Sequence, residues 1–205
     1  MINTIIWDFD GVIVNSEKIR VSGFRYALRS FSEEQVEKFI KYHIANGGLS
    51  RYHKIDYFFT DILSEPALDH LIETLLEDYS TYCLNHLGNK DQLITSNVEF
   101  LESHQNKYTM FLVSASDGDE LKVLANRLGI QSLFREIKGS PTTKIDNVAR
   151  LLTEYSLKPE ETVLIGDSFN DFDAAVANSI YFLGFGGDAI QSKSNLPDEL
   201  ITLKN

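Results

Sequence analysis

The sequence predicts an α/β protein: a Rossmann-like parallel sheet core with an α-helical cap domain inserted into it. Three observations predict this. From about residue 88 onward, short apolar runs alternate with helical stripes, an order that calls for parallel strands joined by right-handed crossovers. A run of the same apolar kind opens the chain. Between the two, residues 16–87 carry helical periodicity throughout and no strand. The expected division is therefore a core of 1–15 and 88–205 and a cap of 16–87. An insertion just after the first strand lies at the carboxyl edge of the sheet, where open α/β sheets hold their ligands.

The elements follow in order. Ile2 to Phe9 reads as a buried strand, short and rich in β-branched residues. Phe24, Ala27, Leu28 and Phe31 recur at helical spacing. Ser32-Glu33-Glu34-Gln35 has the form of a capping box ahead of Val36, Phe39, Ile40 and Ile44, and Asn46-Gly47-Gly48 stops that helix. Ile55, Phe58, Phe59 and Ile62 form a further stripe. Leu68, Leu71, Ile72, Leu75, Leu76, Tyr79, Tyr82 and Cys83 form the longest, which stops near Gly88. In the second half, Ser96 to Glu99 are expected to cap a helix toward His104, and Tyr108 to Val113 to form a strand ending at Ser114. Leu121, Leu124, Ala125 and Leu128 mark a helix stopped by Gly129. Phe134 to Ile137 reads as a short strand, and Val148, Leu151, Leu152 and Tyr155 as a helix. Thr162 to Ile165 is a strand, Ala174 to Ala177 sit in a helix, and Ile180 to Leu183 form the last strand. The tail after Gly186 is polar and weakly specified.

Composition narrows the functional classes. The chain has 205 residues and a formal net charge of −11. Such an acidic protein repels nucleic acid and anionic membranes, so neither is expected as a partner. An anionic substrate then needs local positive charge. The single cysteine, Cys83, excludes an internal disulfide and lies on an apolar stripe, where it reads as a core residue. The start of the chain has neither a signal-peptide pattern nor a membrane span, so a cytoplasmic location is expected. A monomer or weak dimer is the expected state.

Four places carry chemistry. Asp8 and Asp10 flank Phe9 at the end of the first strand, with Gly11 turning the chain, so both carboxylates can face one site. By itself this fragment also fits a turn with solvated acids. Ser114, followed by Ala115 and Ser116, ends the second strong strand, where a hydroxyl and free N–H groups suit a phosphate oxygen; simple helix capping by Ser116 is the alternative. Lys144 opens a helix, where acids are favoured, so its charge suits a bound anion unless it is merely solvated. Gly166-Asp167-Ser168-Phe169-Asn170-Asp171 presents two carboxylates after an apolar strand. This is the donor set of a hard cation such as Mg²⁺, although a capping aspartate with a surface neighbour would look alike.

Taken together and in this order, Asp8-Phe9-Asp10-Gly11-Val12, Ser114, Lys144 and Gly166 to Asp171 resemble the four motifs of the haloacid dehalogenase superfamily, in its phosphatase branch with a helical cap. The resemblance to phosphoglycolate phosphatases and β-phosphoglucomutases covers almost the whole chain. It implies that Asp8 attacks phosphorus and that Asp10 protonates the leaving alcohol and later activates water. It implies further that Asp8, the backbone carbonyl of Asp10, Asp167 and Asp171, directly or through water, hold Mg²⁺. Ser114, Ala115 and Lys144 would bind the phosphoryl group. The implied activity is hydrolysis of a small phosphorylated metabolite, such as a sugar phosphate, through an aspartyl-phosphate. A sugar phosphomutase shares the same aspartates and stays open as an alternative, as does a non-catalytic regulatory member. The intact acids, Lys144 and the helical insertion weigh against the latter.

Within the cap, Gly47-Gly48-Leu49-Ser50-Arg51 resembles the cap loop of β-phosphoglucomutase. Arg51 could bind a second anionic group of the substrate, or be an exposed helix-start arginine. Tyr52, His53 and Lys54 are further candidates. Asn15 stands before Ser16 where the family often has aspartate, which bears on substrate preference rather than chemistry.

Overall fold

A computed structural model describes residues 1–66 and 68–196. Its centre is a parallel sheet of five strands in the order β3-β2-β1-β4-β5. These are β1 (Thr4–Trp7), β2 (Thr109–Asp117), β3 (Glu136–Ser140), β4 (Thr162–Gly166) and β5 (Tyr181–Gly184). The middle strand, β1, pairs Thr4 to Trp7 with Thr109 to Leu112 on one side and with Thr162 to Ile165 on the other. Side chains alternate across it. Ile5 and Trp7 join one apolar cluster with Leu112 and Val163, and Ile6 joins a second with Phe111, Leu164 and Phe182. A strand buried on both faces must be apolar at every position, which is why Ile5-Ile6-Trp7 reads as a continuous run.

Helices α1 (Glu17–Ala27), α2 (Glu33–Ala45), α3 (Arg51–Tyr57) and α4 (Asp69–Leu87) form the inserted cap. Ser32 and Gln35 make the predicted reciprocal capping box at the start of α2. The cap has its own aromatic core: Phe24 stacks on Tyr79 at 4.0 Å and meets Phe39 edge-on at 4.9 Å, and Phe39 meets Phe58 at 5.5 Å. Cys83 is buried there, as its stripe predicts. In the second half, α5 (Thr95–His104), α6 (Gly118–Leu128), α7 (Lys144–Glu154), α8 (Phe169–Ala177) and α9 (Asp188–Gln191) link and flank the strands. No described helix is long and apolar enough to cross a membrane.

Several boundaries differ from the sequence reading. α1 ends at Ala27, so Leu28 caps it and Phe31 packs from the following turn. The stripe through Ile62 is α-helical only to Tyr57 and continues as a π-helical turn over Phe58–Leu63. Ser96 does not cap α5: Ile94 holds that position without a side-chain bond, and its own N–H is tied to Ile13 O at 2.9 Å. β2 does not end at Ser114 but runs on through an irregularity to pair Asp117 with Ser140. β3 starts later than Phe134, which is a buried residue following a short 3₁₀ turn. The tail after Gly186 is better specified than its polarity implies. Phe182 N–H donates to Asn195 Oδ1 at 2.6 Å and Gly184 N–H to Ser194 Oγ at 2.9 Å, so this segment covers the free edge of β5. Residues 197–205, counted in the predicted core, lie outside the described residues.

The chain enters and leaves the cap side by side. Asn15 N–H donates to Gln92 O at 2.8 Å, and Val14 bridges Leu93 in antiparallel fashion.

Candidate active site

The carboxyl ends of β1, β2 and β4 bring the predicted residues together beneath the cap. β1 delivers Asp8, whose N–H is held by Ile165 O at 2.9 Å. Gly11, at φ +78°, turns the chain back, and a side chain there would overlap the carboxylate of Asp167. The missing Cβ is therefore what lets Asp167 approach the turn. β4 delivers Asp167, and α8 begins directly after it. Ser168 caps α8 by accepting from Asp171 N–H, while Asp171 Oδ2 accepts from Ser168 Oγ at 2.6 Å. This capping box turns Asp171 inward, where it is fully buried.

Lys144 is the first residue of α7, with Thr143 as N-cap. Its position is odd for a cation in terms of the helix dipole, but its ammonium is not solvated. It is buried and donates to Asp8 Oδ1 at 2.7 Å and to Asp171 Oδ1. Oxygens of Asp8, Asp167 and Asp171 lie within 4.8 Å of one another. Burial and the neighbouring Asp171 and Asp167 push the Asp8 carboxyl well above the ordinary carboxylate range, against the pull of Lys144. Burial and Asp171 likewise push Asp167 up to about 7. Three crowded carboxylates facing one ammonium are short of positive charge. All their donors are hard oxygens, so the set fits a divalent cation of the magnesium type.

Asp10 is held differently. Arg20, on α1 of the cap, donates to it through Nε at 2.9 Å and Nη2 at 3.3 Å, and Ser116 Oγ donates at 2.6 Å. Burial works to raise its pKa, but Arg20 and Ser116 prevail and hold it at about 2. Ser116 is thus not the cap of α6; Asp117 is, accepting from the N–H groups of Asp119 and Glu120. Ser114 Oγ lies 3.5 Å from Asp10 Oδ2 and accepts from Ser116 N–H, and Ala115 lines the cleft beside it.

The cap closes the other side of a cleft of about 750 Å³. Asn170 Nδ2 donates to Gly48 O at 2.8 Å, and a Cβ on Gly48 would fall 2.6 Å from Asn170 Cβ and Ser168 Oγ. Glycine is what allows this loop to rest on α8. Arg51 lines the cleft, but its charge is already matched: Nη1 donates to Glu120 Oε2 and to Ser80 Oγ, each at 2.6 Å, and Nη2 lies 3.4 Å from Asp117 Oδ2. It is not exposed and its charge is paired, although its buried Nε has no partner among the described residues. Glu120 also accepts from Arg20 Nη1 at 2.6 Å, so one buried core carboxylate joins two cap arginines.

The sequence model of the haloacid dehalogenase-like hydrolases matches residues 5–185. The chain belongs to that family. Solved members of similar fold include a β-phosphoglucomutase from Clostridium difficile (TM-score 0.78, 18% identity, covering 100% of this chain and 97% of that one). A predicted phosphoglycolate phosphatase from Haemophilus somnus gives 0.72 at 19% identity, covering 89% and 84%. CbbY from Rhodobacter sphaeroides, in complex with xylulose-(1,5)-bisphosphate, gives 0.73 at 14% identity, covering 94% and 89%. No curated protein is a significant match. In this haloacid dehalogenase-like hydrolase, sequence reasoning missed Arg20, Ser116 and Glu120. A signal existed for two of them: Arg20 extends the stripe of Phe24 and Ala27 backward by one turn, and Glu120 does the same for Leu124 and Leu128. A charge on the buried face of an amphipathic helix marks an internal ion pair.

Proposed function

We propose that the protein is a Mg²⁺-dependent phosphomonoesterase that hydrolyses a small phosphorylated metabolite through an aspartyl-phosphate on Asp8. The observation that carries this reading is Lys144, buried between Asp8 and Asp171 at the end of the central strand. A carboxylate attacks a phosphate dianion only where fixed positive charge offsets their repulsion. Asp8, Asp167 and Asp171, with the carbonyl of Asp10, would hold the cation, which supplies charge neutralisation at the transferring phosphoryl group.

An oxygen of Asp8 forms a bond to phosphorus as the ester P–O bond breaks, and the electron pair leaves with the alcohol oxygen. That oxygen takes up a proton, which Asp10 can pass on only from its protonated minor form, because Arg20 and Ser116 hold the carboxyl ionised in the ligand-free cleft. A water then attacks phosphorus, Asp10 receives its proton, and the acyl-phosphate bond breaks to return the Asp8 carboxylate and release phosphate. Lys144 and Ser114, with the backbone at Ala115, orient the phosphoryl oxygens. Arg20 favours the ionised form of Asp10, the form the second step needs. The cap, taken as 16–87, excludes bulk water from the closed cleft and strengthens these interactions.

The test is a screen of phosphorylated metabolites for Mg²⁺-dependent release of inorganic phosphate, with Asp8→Asn as control. Release of free phosphate is expected, rather than migration of label between two positions of one sugar. Absence of release from every ester tried, with the fold intact, overturns the reading.

A further inference from the structure

Four cations line the cleft: Arg20, Arg51, Lys54 and Lys144. Three are matched by carboxylates, Arg20 by Asp10 and Glu120, Arg51 by Glu120 and Asp117, and Lys144 by Asp8 and Asp171. Lys54 is different. It lies on α3 of the cap with 2% of its surface exposed, and among the described residues it forms no ion pair. Its Nζ instead has two neutral acceptors, His43 Nδ1 at 3.0 Å and Gly47 O at 3.2 Å.

We propose that Lys54 is a specificity-determining residue that binds a second oxyanion of the substrate, a carboxylate or phosphate at the end away from the ester being cleaved. An ammonium has three donors, and the two cap acceptors take two of them, which aims the head group and leaves one for a ligand. Burying an ammonium without a counter-ion is unfavourable, and an oxyanion in the cleft would supply the missing charge. The effect of that deficit is visible: burial, reinforced by Arg20 and opposed by Asp10, pushes Lys54 down to about 7. His43 is suited to its part. Burial, Lys54 and Arg20 push it down to about 3, so it stays neutral and its Nδ1 accepts. The rest of the cleft wall adds the acids Glu17, Asp117, Glu120 and Asp173 and no further cation, and the two cap arginines are already paired with carboxylates, so Lys54 is the cap cation without a counter-ion among the described residues. Arg51, the candidate on sequence grounds, is already neutralised by the core.

This inference rests on the phosphatase reading only for which end of the ligand reacts; the binding can be measured without turnover. The probes are matched pairs: 3-phosphoglycerate against glycerol 3-phosphate, which differ by a carboxylate, and fructose 1,6-bisphosphate against fructose 6-phosphate, which differ by a phosphate. Affinities are measured by calorimetry with Mg²⁺ present, in the Asp8→Asn background with and without Lys54→Met. The protein with Lys54 should prefer the member carrying the second oxyanion in at least one pair by about tenfold or more, and Lys54→Met should abolish that preference while changing affinity for the member with only the ester phosphate by less than about twofold. Loss in the first pair alone names a carboxylate, and loss in the second alone a phosphate. In the catalytically intact protein, Lys54→Met should raise KM for the member with the second oxyanion with little change in kcat. Lys54→Gln, with thermal melting, guards against a folding defect. A preference that survives both substitutions, or no preference for either probe with a second oxyanion in the protein with Lys54, overturns the inference. Lack of phosphate release by the unsubstituted protein would overturn the phosphatase reading alone.

Discussion

Arg20 Nε lies 2.9 Å from Asp10 Oδ1, so a helix of the cap holds the second aspartate of the first strand. The state of Asp10 is thereby tied to the position of the cap. Arg20→Met should leave the protein folded, because Arg51 still pairs with Glu120, but should reduce kcat by about tenfold or more through loss of a charge-assisted bond. Steady-state kinetics on any hydrolysed ester checks this. A variant with unchanged kcat would separate Asp10 from the cap.

Asp8→Asn should lower turnover by at least about a thousandfold, as removal of a nucleophile does. Circular dichroism should be unchanged, since the amide fits the same space. Phosphate release above about a tenth of the original level would rule Asp8 out as the nucleophile.

Mg²⁺ should raise the melting temperature. Three carboxylates with one shared ammonium gain from a further cation, and at saturating metal the rise should be about 5 °C or more. Chelator should reverse it and Asp167→Asn should reduce it. An equal rise in Asp167→Asn would place the ion elsewhere.

Glu120→Leu should destabilise the protein by about 2–3 kcal/mol, because Arg20 and Arg51 each lose their short bond to it and keep only Asp10 and Asp117 as carboxylate partners. Denaturant melts measure it, and Glu120→Gln should cost less by retaining an acceptor. A loss below about 1 kcal/mol in Glu120→Leu would mean the pairs contribute no more than surface ones.

Lys54 gives a pH signature in the ligand-free protein. Its folded pKa is about 7 against an ordinary 10.5, so between these values the unfolded chain keeps a proton the folded one has released. Stability from this group therefore rises with pH across that window, and the full penalty applies below it. The groups facing Lys54 are His43 from α2, Arg20 from α1, Asp10 from the end of β1 and the Gly47 carbonyl. Lys54→Met should thus be more stabilising at pH 6 than at pH 9.5, read as the difference between two melting temperatures. A difference independent of pH would leave Lys54 charged throughout.

The strands and the Asp8, Lys144 and Asp167–Asp171 positions were legible because each follows a local rule. A buried parallel strand is apolar at every residue, and chemistry sits where such a run stops. Arg20, Glu120 and Lys54 were harder. Their roles depend on which cap residue meets which core residue, and the sequence separates Arg20 from Glu120 by a whole domain. Arg51 shows the same limit from the other side: a glycine-flanked arginine looks free until the carboxylates opposite it are known. The end of β2 was misplaced because Ser114 to Asp117 has small and polar side chains, whereas its pairing with Ser140 is set by backbone bonds that any side chain permits.

The backbone bond between Asn15 and Gln92 has an evolutionary and practical consequence. The two ends of the excised block are already neighbours, so a short connector could close the core across the gap and a different insert could be spliced into the same place. Because β1 pairs with β2 and with β4 without help from the insert, the strand ends that carry Asp8, Ser114 and Asp167 do not need it to form. Transplanting residues 16–87 between relatives should therefore exchange substrate choice, and should keep the reaction intact where the donor block brings an arginine in the place of Arg20 to hold Asp10, which makes this junction a natural seam for building chimaeras.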